Sequence, residues 1–121
     1  MRWIFEPDSP VFLQIAEILK RDIISGQLKP NEQLPSVRAI AEQAGVNPNT
    51  VQRALTALEE KGLIVTRGTV GKFVTDDVPT IKGCYNDEVV RQVKKFMTSI
   101  ERYGVTKDDV IRMIKEYEVE K

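Results

Sequence analysis

Apolar residues recur along this chain with two periods, and the first switch between them falls at Gly62. Phe12, Ile15, Ala16, Leu19 and Ile23 keep the three-and-four spacing of one helix face. Ser9 and Pro10 predict the N-cap and first position of that helix, and Gly26 its stop. The stretch "QLKPNEQLP" holds two prolines and predicts a turn-rich connector. Ser36 then predicts the cap of a short second helix with Val37, Ile40, Ala41 and Ala44 on its apolar side. Gly45 ends it, and only Val46 separates it from Asn47, the cap of a third helix that runs to about Lys61. Val51, Ala54, Leu55 and Leu58 form the stripe of that third helix.

Beyond Gly62 the pattern is that of strands. "LIVT" (63–66) and "KFVT" (72–75) are rich in β-branched and aromatic residues, and "RGTVG" between them supplies glycines for a hairpin tip. "DDVPTIKGCY" reads as a linker over 76–85, with Pro79 and Gly83 as breakers. Helical spacing returns with Val89, Val93, Phe96, Met97 and Ile100, is broken at Gly104, and resumes in "KDDVIRMIKEYEVE" with Val110, Ile111, Ile114 and Tyr117. Thr106 and Asp109 have the spacing of a capping pair for that last helix. Two amphipathic helices cannot bury their stripes by themselves. Val93, Phe96, Met97, Ile100, Ile111 and Ile114 are therefore expected to pack on the first domain or on a second subunit, and a homodimer contact is the leading expectation. The chain divides into a domain over 1–75, a linker over 76–85 and a two-helix dimerisation segment over 86–121.

Composition narrows the chemistry. Hydrophobic residues at 41 % and charged ones at 30 % fit a globular chain rather than a disordered one. No apolar run approaches the roughly 18 residues of a membrane span, and "MRWIFEPDSP" carries no signal-peptide features. The single cysteine, Cys84, reads as a reduced thiol, so a cytoplasmic location is expected and no disulfide or metal cluster. There is no histidine, no nucleophile beside a base and no phosphate loop, which argues against an enzyme; no cofactor is expected. The formal net charge is zero, but phosphates respond to one face of a protein rather than to its total. Residues 33–74 hold five basic against three acidic residues, whereas 76–121 hold nine against ten. That difference permits a basic face on the first domain.

Helix, helix, tight turn, helix and then a hairpin is the order of a winged helix-turn-helix: mainly α with a small β-hairpin, here followed by the two-helix dimerisation tail. In that arrangement the third helix enters the major groove of DNA. Its first turn, "NPNT", carries no acidic side chain, so free N–H groups and the positive dipole end face outward. At 100° per residue, Asn49, Arg53 and Thr56 lie opposite the apolar stripe, with Gln52 and Thr50 on its flanks. Asn and Gln suit adenine, Arg suits guanine, and Thr suits a phosphate or a thymine methyl. Taken alone, the same pattern is also that of a solvated face with an Asn-Pro cap. Glu60, on that face too, would repel a phosphate backbone and reads as solvated. Arg38 lies beside the positive end of the second helix, where a cation is disfavoured unless it meets an anion. At the hairpin tip, Arg67 and Lys72 flank Gly68 and Thr69, and the glycines let backbone approach DNA closely. Ser36, Arg38, Asn47, Asn49, Thr50, Gln52, Arg53, Thr56, Arg67, Gly68, Thr69 and Lys72 are the candidate DNA contacts.

The stretch from "SPVFLQIAEIL" to "TRGTVGKFV", roughly residues 9 to 75, resembles the DNA-binding domain of the GntR family of bacterial transcription regulators. "QLKPNEQLPSVRAIA" and "GVNPNTVQRAL" are its most specific parts. The resemblance implies that Arg38, the start of the third helix and the wing around Arg67–Gly68 contact an operator in double-stranded DNA. Many relatives carry basic residues where this chain has Pro48 and Gln52, so base preferences do not transfer. Only about 40 residues follow the linker, which is similar to the YtrA-type subfamily, in which a helical pair mainly dimerises. The expectation is a dimeric repressor on an inverted-repeat operator, with no membrane association. The competing expectation is a winged-helix module whose third helix packs on another protein. The sequence leaves open whether a small-molecule effector binds.

Overall fold

The computed structural model describes residues 3–119. Met1, Arg2, Glu120 and Lys121, the ends of the expected first and last segments, lie outside the described residues. The described chain has five helices and one two-stranded antiparallel sheet: α1 (Val11–Ile24), α2 (Val37–Ala44), α3 (Pro48–Glu60), β1 (Ile64–Arg67), β2 (Gly71–Val74), α4 (Val78–Glu101) and α5 (Lys107–Glu116). It falls into two compact units, Met1–Tyr85 and Asn86–Lys121. Among the described residues no helix is long and apolar enough to cross a membrane.

In the first unit, α3 packs against both α1 and α2. Its stripe of Val51, Ala54, Leu55 and Leu58 is buried, and it meets Ile15, Leu19 and Ile23 from α1 and Ile40 and Ala41 from α2 in one core. Leu63, Ile64 and Val74 extend that core under the hairpin. Burying each such aliphatic side chain is worth about 1.5–3 kcal/mol, which is why α2, only eight residues long, holds its place. Local chemistry sets the ends. The Ser36 hydroxyl accepts from the Ala39 N–H at 3.0 Å, and the Asn47 side chain accepts from the Asn49 N–H at 2.8 Å. Between the two helices Gly45 takes a left-handed φ of 69°, and the Val46 N–H returns to the Ala41 carbonyl. This turns the chain in two residues.

The strands pair with Ile64 opposite Val74, Val65 opposite Phe73, Thr66 opposite Lys72 and Arg67 opposite Gly71. Each strand is offset by one residue from the range its apolar pattern predicts. Thr75 leaves the ladder to donate its N–H to the Leu63 carbonyl, and its hydroxyl accepts from the Asp77 N–H. The connector before α2 also joins the wing. Gln33 bridges Phe73, the Leu34 N–H donates to the Lys72 carbonyl, and the Asn31 and Val74 N–H groups donate to the Val74 and Glu32 carbonyls. The hairpin thus gains a third, irregular edge that the sequence pattern did not announce.

Two boundaries differ from expectation. Pro10, not Ser9, occupies the N-cap position of α1, with extended ψ of 136° and no side-chain cap. More consequentially, most of the expected linker is helix: α4 begins at Val78, and Pro79 and Gly83 lie inside it. Proline is tolerated in a first turn because its missing N–H has no partner there anyway. The Asp77 side chain accepts from the Thr80 N–H at 3.4 Å, so "DVP" is a helix start rather than a break. Ile81 is 9 % exposed and belongs to the core, with Cys84 packed against it, which anchors the start of α4 to the first unit.

In the second unit the capping pair is present as expected. Thr106 accepts from the Asp109 N–H at 3.1 Å, and Asp109 accepts from the Thr106 N–H at 3.3 Å. Hydrogen bonding of the Thr106 side chain and backbone N–H to the carboxylate, with Arg112 nearby, holds the Asp109 carboxyl below its ordinary pKa. The helix ends at Glu116, one residue before Tyr117, the last position of its apolar stripe.

Candidate nucleic-acid interface

Asn49, Gln52, Arg53 and Thr56 are all exposed on α3, on the side away from Val51, Leu55 and Leu58; Thr50 is half-buried. The Gln52 amide reaches the Thr56 hydroxyl at 3.5 Å, a long contact one helical turn apart. Asn47 is exposed, but its Oδ1 is used in capping. The first turn of α3 holds no acidic residue, as the sequence showed, yet α1, α2 and α4 lack one too. The open end of α3 is therefore no signature by its charge alone.

Three arginines of this unit are exposed, one each on α2, α3 and the wing. Arg38, in the first turn of α2, is exposed and makes no hydrogen bond or ion pair among the described residues. Arg53 lies flat over the ring of Phe12 on α1, with its central carbon 3.9 Å from the ring centroid. Arg67, the last residue of β1, lies 4.5 Å over the ring of Phe73 and donates to the Asn31 side chain. Each exposed stack of this type contributes about 0.5–1 kcal/mol and leaves the positive charge intact. Lys72 differs. Its ammonium is ion-paired with Glu59 at the end of α3 and donates to the Thr66 hydroxyl at 2.9 Å, while Thr66 donates to the same carboxylate at 3.2 Å. The carboxylate neutralises Lys72 and ties the hairpin to the helix.

Ser36, Thr66, Gly68, Thr69 and Lys72 share the wall of one crevice of about 330 Å³ between the wing and the start of α2. Gly68 and Gly71 take positive φ of 52° and 141° at the tip, where Val70 stands 67 % exposed. The Gln33 amide donates to the Val70 carbonyl at 3.0 Å, and a side chain at position 71 would come within 3.0 Å of that amide. Gly71 is thus required both for its backbone angle and for this close approach. Of the candidate residues, the structure gathers Ser36, Gly68, Thr69 and Lys72 along the crevice and Asn49, Gln52 and Thr56 along α3. Phe12, Asn31, Glu59 and Phe73 hold the cations in place, and residue spacing carried no sign of those roles. Phe12 had been read as core only.

A helix-turn-helix followed by a wing, with exposed arginines on α2, α3 and β1, has close counterparts. Residues 12–74 match the family described as bacterial regulatory proteins, gntR family. The chain belongs to the GntR family. It is 32 % identical over 114 residues to the helix-turn-helix regulator YhcF of Bacillus subtilis, covering 93 % of each chain. It is 31 % identical over 110 residues to the transcriptional repressor YtrA of the same organism, covering 89 % of this chain and 84 % of that one. Among solved structures, a GntR family regulator from Listeria monocytogenes superposes with a TM-score of 0.87 at 32 % identity, over 94 % of this chain and all of the other. The DNA-binding domain of AraR, solved with its operator ORX1, gives 0.55 at 26 % identity over 60 % of this chain and 92 % of that one. This GntR protein is thus a transcriptional regulator with a DNA-binding winged helix and full-length relatives among the YtrA-type regulators, and it is not an enzyme.

Proposed function

We propose that this GntR regulator is a dimeric repressor, working in the cytoplasm, that binds an inverted-repeat operator through α3 in the major groove and the wing beside it. The observation that carries the DNA half is that Arg38 on α2, Arg53 on α3 and Arg67 on the wing are all exposed, as are Asn49, Gln52 and Thr56, with each guanidinium free of a carboxylate among the described residues. Arginines held this way offer full charge to phosphate and a planar donor fork to guanine. Asn49 and Gln52 are assigned to base edges; Arg38, Arg67 and the crevice hydroxyls of Ser36 and Thr69 are assigned to the backbone. Asn47 and Thr50 contribute at the margin of the helix end, and Lys72 acts through the wing it braces.

Dimerisation is supported by what the second unit leaves in water. Val93, Phe96, Ile111 and Ile114 are 54, 45, 40 and 62 % exposed, and Met97 and Ile100 are half-buried. A two-fold pair of winged domains meets the two halves of an inverted repeat, and each half-site raises the effective concentration for the other. The repressor assignment rests on the likeness to YtrA of Bacillus subtilis, a transcriptional repressor.

Selection of bound duplexes from a random pool tests this reading. Recovery of an inverted repeat, with affinity falling steeply as salt rises, is the expected result. Recovery of unrelated single half-sites, or salt-independent binding, would overturn it. Repeating the selection with candidate metabolites identifies any effector.

A further inference from the structure

We propose that Asn31 is a positioning residue for DNA binding, one that sets the wing arginine, Arg67, in place without reducing its charge. The inference rests on the reading of this protein as a DNA binder.

Asn31 is the one non-glycine residue with positive φ among those described, at 71°. Asparagine enters that left-handed region more readily than other side-chain-bearing residues. Its backbone is fixed there: the Asn31 N–H donates to the Val74 carbonyl at 3.0 Å, and the next residue accepts from the Val74 N–H at 2.8 Å. Asn31 consequently sits on the far edge of β2 from β1. Arg67 starts on β1, passes over the Phe73 ring on β2 and ends with Nη2 donating to Asn31 Oδ1. The side chain spans the wing from edge to edge, gripped at its flat face and at one N–H. Four of the five guanidinium N–H groups stay uncommitted to that bond.

The choice of partner matters. Lys72, one strand over, is held by the Glu59 carboxylate, so that the pair carries no net charge. Arg67 is held by an amide and an aromatic ring, both neutral. An amide orders the guanidinium as firmly as a hydrogen bond can, yet a phosphate still meets a full positive charge. Ordering an arginine before binding removes an entropy cost that is otherwise incurred on the DNA.

The test uses the full-length protein with a mixed-sequence DNA duplex at a series of salt concentrations. Asn31→Gly keeps the backbone angle and removes only the amide. Affinity should fall about three- to tenfold, the cost of immobilising one long side chain, while the salt slope stays that of the wild type because no cation is lost. Arg67→Ala should make the slope shallower, and in that background Asn31→Gly should have no further effect. Asn31→Asp should weaken binding and also flatten the slope, since it neutralises Arg67. Wild-type affinity for Asn31→Gly overturns the proposal, as does an equal loss with and without Arg67, or an Arg67→Ala protein that binds as before. If the wild-type protein itself shows no salt-dependent duplex binding, the DNA-binding reading fails first, and that outcome is separate from the others.

Discussion

The two units of this chain use the same helical periodicity to opposite ends. In the first, Ile15, Leu19, Leu55 and Leu58 are at most 1 % exposed, because three helices and a hairpin converge on one point. In the second, α4 and α5 carry stripes of similar composition, yet Val110 is the only hydrophobic residue from 86 to 119 that is fully buried. The spacing of apolar residues says that a helix has an inner face. Whether that face finds a partner within the same chain depends on how many elements are available to cover it. Two helices are too few, so a stripe that would be core in the first unit stays exposed in the second.

The sharpest way to break this comparison is to change one large apolar residue on each side of it. Leu55→Ala, in the first core, should cost about 2–5 kcal/mol of unfolding free energy, with a denaturant midpoint independent of protein concentration. Next in size, Phe96→Glu should leave the first unit folded but convert a dimer to a monomer, because a charge replaces a side chain whose burial is worth about 1.5–3 kcal/mol. Sedimentation and operator titration read the two consequences. A Phe96→Glu protein that stays dimeric would show that the α4 stripe serves something else. A truncation at Val78 would be a poorer test than it looks from the sequence, since it also removes Ile81 from the first core.

The capped helix of the second unit provides a finer probe. Thr106→Ala should destabilise α5 by about 0.5–2 kcal/mol, seen as faster amide exchange over 107–116 with the first unit unaffected. The same bonds predict a pH dependence. The Thr106 side-chain and backbone bonds, with Arg112, lower the Asp109 pKa in the folded chain. The stabilisation is therefore complete above the ordinary carboxylate range and is lost as pH falls through the lowered folded value. Amide protection in α5 should fade at acid pH in the native protein and lose that dependence in Asp109→Asn. Smallest of all, Arg38→Ala should shift unfolding by no more than about 0.5 kcal/mol. It should still make the salt slope of operator binding shallower by roughly one phosphate contact.

Much of the fold was legible residue by residue. Ser36, Asn47 and the Thr106–Asp109 pair sit at helix starts where their short polar side chains satisfy free N–H groups, and that chemistry is local. Gly45 marks its turn for the same reason: only the backbone angle matters. The mistaken linker shows the limit of local reading. Pro79 breaks a helix anywhere but in its first turn, and Asp77 two residues before it was the sign that α4 begins there. The strand offsets of one residue have a similar origin, since pairing register is decided across the hairpin and not within either strand.

The candidate interface divides along the same line. The sequence by itself determined which helix is amphipathic, which end of α3 is open, and that Arg38, Arg53, Arg67 and Lys72 are the candidate cationic contacts. Only the tertiary structure decided which of those cations is offset by a carboxylate and which are held by neutral groups. Arg53 meets Phe12 from 41 residues away, Arg67 meets Asn31 from 36 and Lys72 meets Glu59 from 13. Periodicity cannot report such pairs, because a helix or strand repeat relates a residue to its own element, while a ring, an amide or a carboxylate that arrives from another element is placed by packing.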